Sequence, residues 1–183
     1  MKLVVVCGPS GVGKTTLIEQ MISELKARGQ RVSVIKHAHQ RFDIDRPGKD
    51  SYRHREAGAT EVLVASSHRL ALLREYEIEG LPTLHQLVAE LSPVDWVLVE
   101  GFKHIDWPKV EVWRGALGQT PLYPDDPFVT TVATDTPDAL PEPTALPVFA
   151  LSAAAALVSH LMDTAERYAY PHAIHTIHVP NPG

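Results

Sequence analysis

Short unbroken aliphatic runs alternate with stretches in which apolar residues return every three or four positions, a pattern that predicts an α/β fold with a mainly parallel sheet flanked by helices. The first run, Leu3-Val4-Val5-Val6-Cys7, has the form of a strand buried on both faces. After it, Leu17, Ile18, Met21, Ile22 and Leu25 recur at helical spacing, and Gly29 follows Lys26 and Arg28 as a stop signal. Arg31 to Lys36 (RVSVIK) alternates as a second strand, expected to run parallel to the first and to form one βαβ unit with it, because a helix intervenes.

Further along, Asp50-Ser51 is the expected cap of a short helix ending near Gly58. The apolar-rich stretches Glu61 to Ala65 and Arg69 to Glu75 predict a peripheral or inserted β-hairpin. Pro82-Thr83 opens a helix whose Leu84, Leu87, Val88 and Leu91 share one face, stopped by Ser92-Pro93. Val94 to Glu100 (VDWVLVE) is a third aliphatic strand, and Lys109 to Arg114 (KVEVWR) alternates as another. Seven of the fifteen prolines fall between Gly115 and Pro147, so that stretch is mostly loop, interrupted by strands at Phe128 to Ala133 and Leu146 to Ala150. Ser152 is the expected cap of an alanine-rich helix reaching Met162. The organisation that follows is a single domain over residues 1–166 and a tail over 167–183.

Between the first strand and the first helix stands Gly8-Pro9-Ser10-Gly11-Val12-Gly13-Lys14-Thr15, which satisfies the phosphate-loop pattern G-x-x-x-x-G-K-[ST] without substitution. Its glycines let the backbone turn tightly enough to aim several N–H groups at one anion, and the helix behind it adds the positive end of its dipole. Gly8, Ser10, Gly11, Val12 and Gly13 are thus candidate nucleotide-binding residues. Lys14 would meet the β and γ phosphates, and the Thr15 hydroxyl would ligate Mg²⁺. Thr16, one position inward, binds nucleotide, caps or packs. The third strand ends in Glu100 before Gly101, where phosphate-loop proteins place an acid that holds magnesium or its water shell; the usual residue is Asp, and Glu reaches one methylene further.

Composition is ordinary for a soluble globular chain of 183 residues, and a net charge of −5 gives no global footprint for nucleic acid. There is no run of about 18 apolar residues to span a membrane, and the chain enters its first strand without a signal sequence, so a cytoplasmic protein is expected. The single cysteine, Cys7, lies in the first strand as a small core residue. Against the negative total, Lys36 to Arg55 carries six cations and three carboxylates, a local +3, with His37, His39 and His54 beside them. This is either a solvated face or, since it leaves a strand near the phosphate loop, a site for a second phosphorylated ligand built from residues such as His37, Lys49 and Arg53. Lys103 and Arg114 either face the ligand or are plain surface charges. Three histidines at 172, 175 and 178 would suit a metal, or simply lie in a frayed, proline-flanked terminus.

With these residues in view, the chain resembles the molybdopterin-guanine dinucleotide biosynthesis adapter family, MobB. The likeness includes GPSGVGKTTL, IKHAHQRFDIDRPGKDSYRHREAGA from Ile35 to Ala59, LVEGFKH from Leu98 to His104, and the KVEVWR strand. It implies a phosphate-loop GTPase fold, binding of GTP and Mg²⁺, slow hydrolysis and a homodimer. It also implies association with the guanylyltransferase that joins GMP to molybdopterin. By the same likeness Gly11, Gly13, Lys14, Thr15 and Thr16 hold the triphosphate, Glu100 is the family's acid, and Asp43, Asp45, Lys49, Asp50 and Arg53 fall in its signature loop. No N-K-x-D guanine-reading tetrapeptide is present; Asp135 is the expected partner of the guanine N1 and N2 donors, because a carboxylate can accept from both. Two other classes share the loop: a small-molecule kinase, with Asp43 as acceptor-side base and the arginines of the basic segment as lid, and a metal-delivery GTPase using the histidines.

Overall fold

The N-terminal aliphatic run becomes β1 (Lys2–Cys7), an interior strand of a six-stranded parallel sheet ordered β2-β5-β1-β6-β7-β8. Its companions are β2 (Val32–Lys36), β5 (Trp96–Glu100), β6 (Lys109–Trp113), β7 (Val129–Thr134) and β8 (Val148–Ala150). A separate antiparallel hairpin pairs β3 (Glu61–Ala65) with β4 (Leu70–Arg74). The helices are α1 (Lys14–Ala27), α2 (Asp50–Glu56), α3 (Leu84–Ala89) and α4 (Ala154–Asp163). This computed structural model describes residues 1–38, 42–76, 80 and 82–171. It divides into two compact units, one made of Met1–His37 with the chain from Leu87 onward, the other of Ala38–Gln86.

In the first unit, α1 and α4 cover one face of the sheet. Val4, Val6, Trp96, Leu98, Val110, Val112 and Ala133 point from the strands into a cluster with Leu17, Met21 and Leu25 of α1 and Leu157, Val158 and Leu161 of α4. Each valine, leucine or methionine among them taken fully out of water contributes about 1.5–3 kcal/mol. On the opposite face Leu3, Val5, Cys7, Val97 and Val99 are equally buried, and burial pushes the Cys7 thiol up to about 12. The segment after Arg167 starts inside this core: Tyr168 is fully buried and shares a 3.0 Å hydrogen bond with Thr130 Oγ1, and the Tyr170 N–H donates to the Met1 carbonyl. The histidines at 172, 175 and 178 lie outside the described residues.

Four sequence expectations are revised. First, β2 runs parallel to β1, but β5 stands between them, so the expected βαβ unit is split. The apolar, fully buried β5 takes the interior place, and β2, with Ser33 and Lys36, takes the edge. Second, β6 is buried on both faces despite its alternation. Lys109 is neutralised by Asp126 at 2.7 Å, and Glu111 accepts the N–H groups of Leu122 and Tyr123 at 2.7 and 2.8 Å. Third, Asp50 is the first residue of α2 rather than its cap, Lys49 occupies the N-cap, and Ser51 donates to Asp45 instead. Fourth, α4 begins after Ala153, without a side-chain cap from Ser152.

In the second unit α2 packs along β3. Arg55 organises the loop before it: its Nη2 donates to Asp43 Oδ2 at 2.8 Å, its Nε to Asp45 Oδ2 at 3.2 Å and its Nη1 to Glu75 Oε1 at 2.7 Å. One face of the hairpin presents Leu63, Ala65, Leu70 and Leu72 to solvent, since directly opposed residues share a face.

Candidate functional site

Three backbone turns in the left-handed range, at Gly8, Gly11 and Gly13, fold the loop after β1. Gly8 is needed for space as well as for its φ of 134°, because a Cβ there would lie 2.3 Å from the Val112 carbonyl oxygen of β6. Val12 anchors the loop with a side chain that is fully buried in the α1/α4 core, so only its backbone is free to serve a ligand. Ser10 and Gly11 stand at the exposed tip. Gly13 is the N-cap of α1, whose first turn contains no acidic residue. The first N–H groups of a helix have no partner within it, so this end offers donors and a positive dipole to an anion.

Lys14 folds back across the loop, and its Nζ donates to the carbonyls of Gly8 at 2.9 Å and Pro9 at 2.6 Å. Partial burial lowers its pKa from the ordinary lysine value, opposed by the nearby Glu100 carboxylate. Thr15 Oγ1 donates to Glu100 Oε1 at 2.7 Å, and the other oxygen of Glu100 lies 3.4 Å from Lys36 Nζ. The structure therefore joins a residue of the loop to one 85 positions away through a pair of hard oxygen atoms. A hydroxyl and a carboxylate in contact at the foot of a phosphate loop fit the ligand preference of Mg²⁺, which takes a few protein oxygens and keeps its remaining waters. Thr16 is exposed on the first turn of α1.

Asp135 follows β7 and is held by Arg114, which follows β6: Arg114 Nη1 donates to Asp135 Oδ2 at 3.1 Å. Arg114 Nε also donates to the Val12 carbonyl at 2.8 Å. From the sequence Arg114 was as readily a surface charge as a ligand-facing one; its contact with a loop 102 residues earlier has no local signal. His37 donates its backbone N–H to the Glu100 carbonyl, and its ring lies 5.0 Å from that of Phe102. Lys103 is exposed in the loop after β5.

The remaining predicted residues belong to the second unit. Asp43 and Asp45 are engaged by Arg55, and Asp45 also accepts from Ser51 Oγ and the Arg46 N–H. The Arg55 hydrogen bond holds the Asp43 carboxyl below the usual range. Burial opposes the same shift at Asp45, and the bonds from Ser51, Arg46 and Arg55 outweigh it. These two carboxylates brace the loop, and an acid so held is a poor proton acceptor for the kinase reading. Lys49, Asp50 and Arg53 are exposed, Arg53 lying 3.9 Å from Asp50 with both side chains open to water. His39 and Arg41 lie outside the described residues. Among the described residues no group of three or more His, Cys, Asp or Glu is arranged to hold a metal ion, and no helix is long and apolar enough to cross a membrane.

A family profile described as molybdopterin guanine dinucleotide synthesis protein B, MobB, matches residues 3–135, a span that includes the loop, Glu100, Arg114 and Asp135. The chain belongs to this family. The molybdopterin-guanine dinucleotide biosynthesis adapter protein of Escherichia coli (strain K12) is 44% identical over 131 residues, 70% of this chain and 75% of that protein. The protein of the same name from Haemophilus influenzae is 44% identical over 133 residues, 72% and 74% of the two chains. Among solved structures, a MobB homolog from Bacillus stearothermophilus aligns over 91% of this chain and 99% of its own, with a TM-score of 0.65 and 26% identity. Bacillus subtilis MobB, at 23% identity, covers 93% and 100% with a TM-score of 0.69 and supports the fold alone. The MobB profile ends where β7 ends, at the carboxylate that Arg114 holds.

Proposed function

We propose that this chain is a cytoplasmic GTP-binding adapter in the synthesis of molybdopterin guanine dinucleotide, assisting the guanylyltransferase that attaches GMP to molybdopterin. The observation that carries the nucleotide half is the hydrogen bond between Thr15 and Glu100 beneath a complete phosphate loop. The loop amides and Lys14 would grip the triphosphate, Thr15 and Glu100 would hold Mg²⁺, and Asp135 would take the guanine N1 and N2 donors. Bound Mg²⁺ would neutralise charge on the β and γ phosphates. Membership of the MobB family and the names of its curated relatives support the adapter half.

Hydrolysis is slow in this reading. Among the described residues the other cations near the loop are engaged, Lys36 with Glu100 and Arg114 with Val12 and Asp135, which leaves Lys14 alone to meet the phosphates. An arginine that stabilises transition-state charge commonly comes from a partner. The exposed Arg46, Lys49 and Arg53 of the second unit supply the charge for a phosphorylated pterin. Calorimetric titration of the purified chain tests the reading. GTP should bind at least about tenfold more tightly than ATP, and removal of Mg²⁺ should weaken it; a clear preference for ATP would overturn the assignment.

The homodimer belongs to the same proposal, with a second copy seated on the open face of the hairpin. Leu63 and Leu70 are 59% and 64% exposed there. An isolated two-stranded hairpin is marginal in water, and an antiparallel pair can meet its own copy across a two-fold axis. Leu63→Asp combined with Leu70→Asp should halve the mass seen by light scattering while leaving GTP affinity intact. A wild-type chain that runs as a monomer at about 100 μM would exclude the dimer, since that concentration populates contacts of about 5.5 kcal/mol.

A further inference from the structure

We propose that Arg114 is a positioning residue that couples reading of the base to the grip on the phosphates, by holding the phosphate loop and the Asp135 carboxylate on one rigid guanidinium. The inference rests on the nucleotide site described above and adds to it a residue that touches neither base nor phosphate in that scheme.

The geometry is two-sided. Arg114 Nε donates to the Val12 carbonyl at 2.8 Å, and Nη1 of the same plane donates to Asp135 Oδ2 at 3.1 Å. A guanidinium is a flat, always charged fork, so these two bonds fix the separation and orientation of their acceptors in a way that a single ammonium cannot. On the loop side, the carbonyl and N–H of a trans peptide point in opposite directions. Holding the Val12 carbonyl toward Arg114 therefore turns the Gly13 N–H away from it. Gly13 is the last residue before α1 and lies close against the guanidinium: a Cβ on it would sit 3.4 Å from Nη2. Arg114 thus selects which way one of the loop's donors faces.

On the base side, Arg114 takes a single oxygen of Asp135. Among the described residues the other, Oδ1, meets only Thr134 Oγ1, at 3.5 Å, so its acceptor capacity stays available to a ligand. The arginine itself is set by its strand. It follows the end of β6, whose last residue, Trp113, donates its indole N–H to the Gln119 carbonyl at 3.0 Å, and whose Val112 carbonyl backs Gly8 at the root of the loop. The base-reading carboxylate and the phosphate loop are thereby referred to one strand end, and disturbing either end of the fork moves the other.

The test compares GTP, ATP and inorganic tripolyphosphate as ligands for the wild-type chain and for Arg114→Ala, Arg114→Lys, Asp135→Asn and the Arg114→Ala/Asp135→Asn double variant, with thermal melts to confirm the fold. Arg114→Ala should weaken tripolyphosphate and ATP about threefold and GTP about thirtyfold, so that the GTP-to-ATP ratio falls about tenfold. Arg114→Lys should not restore that ratio, and Asp135→Asn should cost less in the Arg114→Ala background than in the wild type, because the two residues act as one unit. Equal losses for all three ligands would make Arg114 a brace for the loop alone. A loss confined to GTP would make it an anchor for Asp135 alone. Either result overturns the coupling while leaving the nucleotide site standing, whereas a wild-type chain that takes up no nucleotide overturns both.

Discussion

Lys14→Ala should weaken GTP binding about 100-fold, equivalent to about 2.7 kcal/mol, with little change in the melting temperature. The size follows from what the ammonium does in each state. Its Nζ lies 2.9 and 2.6 Å from the Gly8 and Pro9 carbonyls. These are hydrogen bonds at a partly open site, where truncation is tolerated. With a triphosphate in the loop the same ammonium faces anionic oxygens, and charge–charge attraction replaces the weaker charge–dipole attraction of the carbonyls. Burial pushes the Lys14 pKa down and Glu100 pulls it back up, so replacing the charge also removes a counter-ion from Glu100. Mg²⁺ dependence should steepen in the variant, because the cation is then left to neutralise the phosphates without the lysine. Titration of GTP at matched salt checks this; undiminished affinity would remove the phosphate loop from the binding site.

The parts of this site that can be read along the chain are those whose partners are neighbours or whose geometry is a property of the segment itself. The loop is of this kind: its glycines, lysine and threonine lie within eight consecutive residues, and the strand before it and helix after it announce themselves by periodicity. Glu100 was legible because a carboxylate at the end of an aliphatic strand stands out against its surroundings, and the structure puts its oxygen 2.7 Å from Thr15. Sheet order was not legible in the same way. That β5 stands between β1 and β2 depends on which strand can tolerate burial on both faces, a comparison among distant segments. Asp43 and Asp45 carry a structural role that the sequence did not show. Grouped with ligand-binding residues by resemblance, they also pair with Arg55, twelve and ten positions on, a contact that no local pattern announces. Arg114 could not be chosen from the other exposed-looking cations, since its acceptors come from the first loop and from the end of β7.

Asp126→Ala should lower stability by about 3–5 kcal/mol, the largest effect expected of any single change outside the aliphatic core, and for a chain of this size lower the melting temperature by about 6–20 °C. Lys109 is 1% exposed, and its Nζ donates to Asp126 Oδ2 at 2.7 Å. Removing the carboxylate leaves that ammonium buried without its counter-ion, against the Phe128 ring at 5.2 Å. It also removes the acceptor of the Phe128 N–H, which closes the turn leading into β7. Lys109→Met combined with Asp126→Ala should recover most of the loss, because a buried ion pair contributes little beyond an apolar pair of similar volume, and what is costly is half of it. Urea unfolding of the two variants separates these terms; a single variant that loses less than about 1 kcal/mol would mean that water reaches the ammonium. The consequence extends to the site. β6 carries Lys109 at its start and Arg114 just past its end, with the Val112 carbonyl behind Gly8. A strand loosened at Lys109 should therefore hold the arginine fork less firmly, and the single variant should lose discrimination between GTP and ATP that the double variant regains.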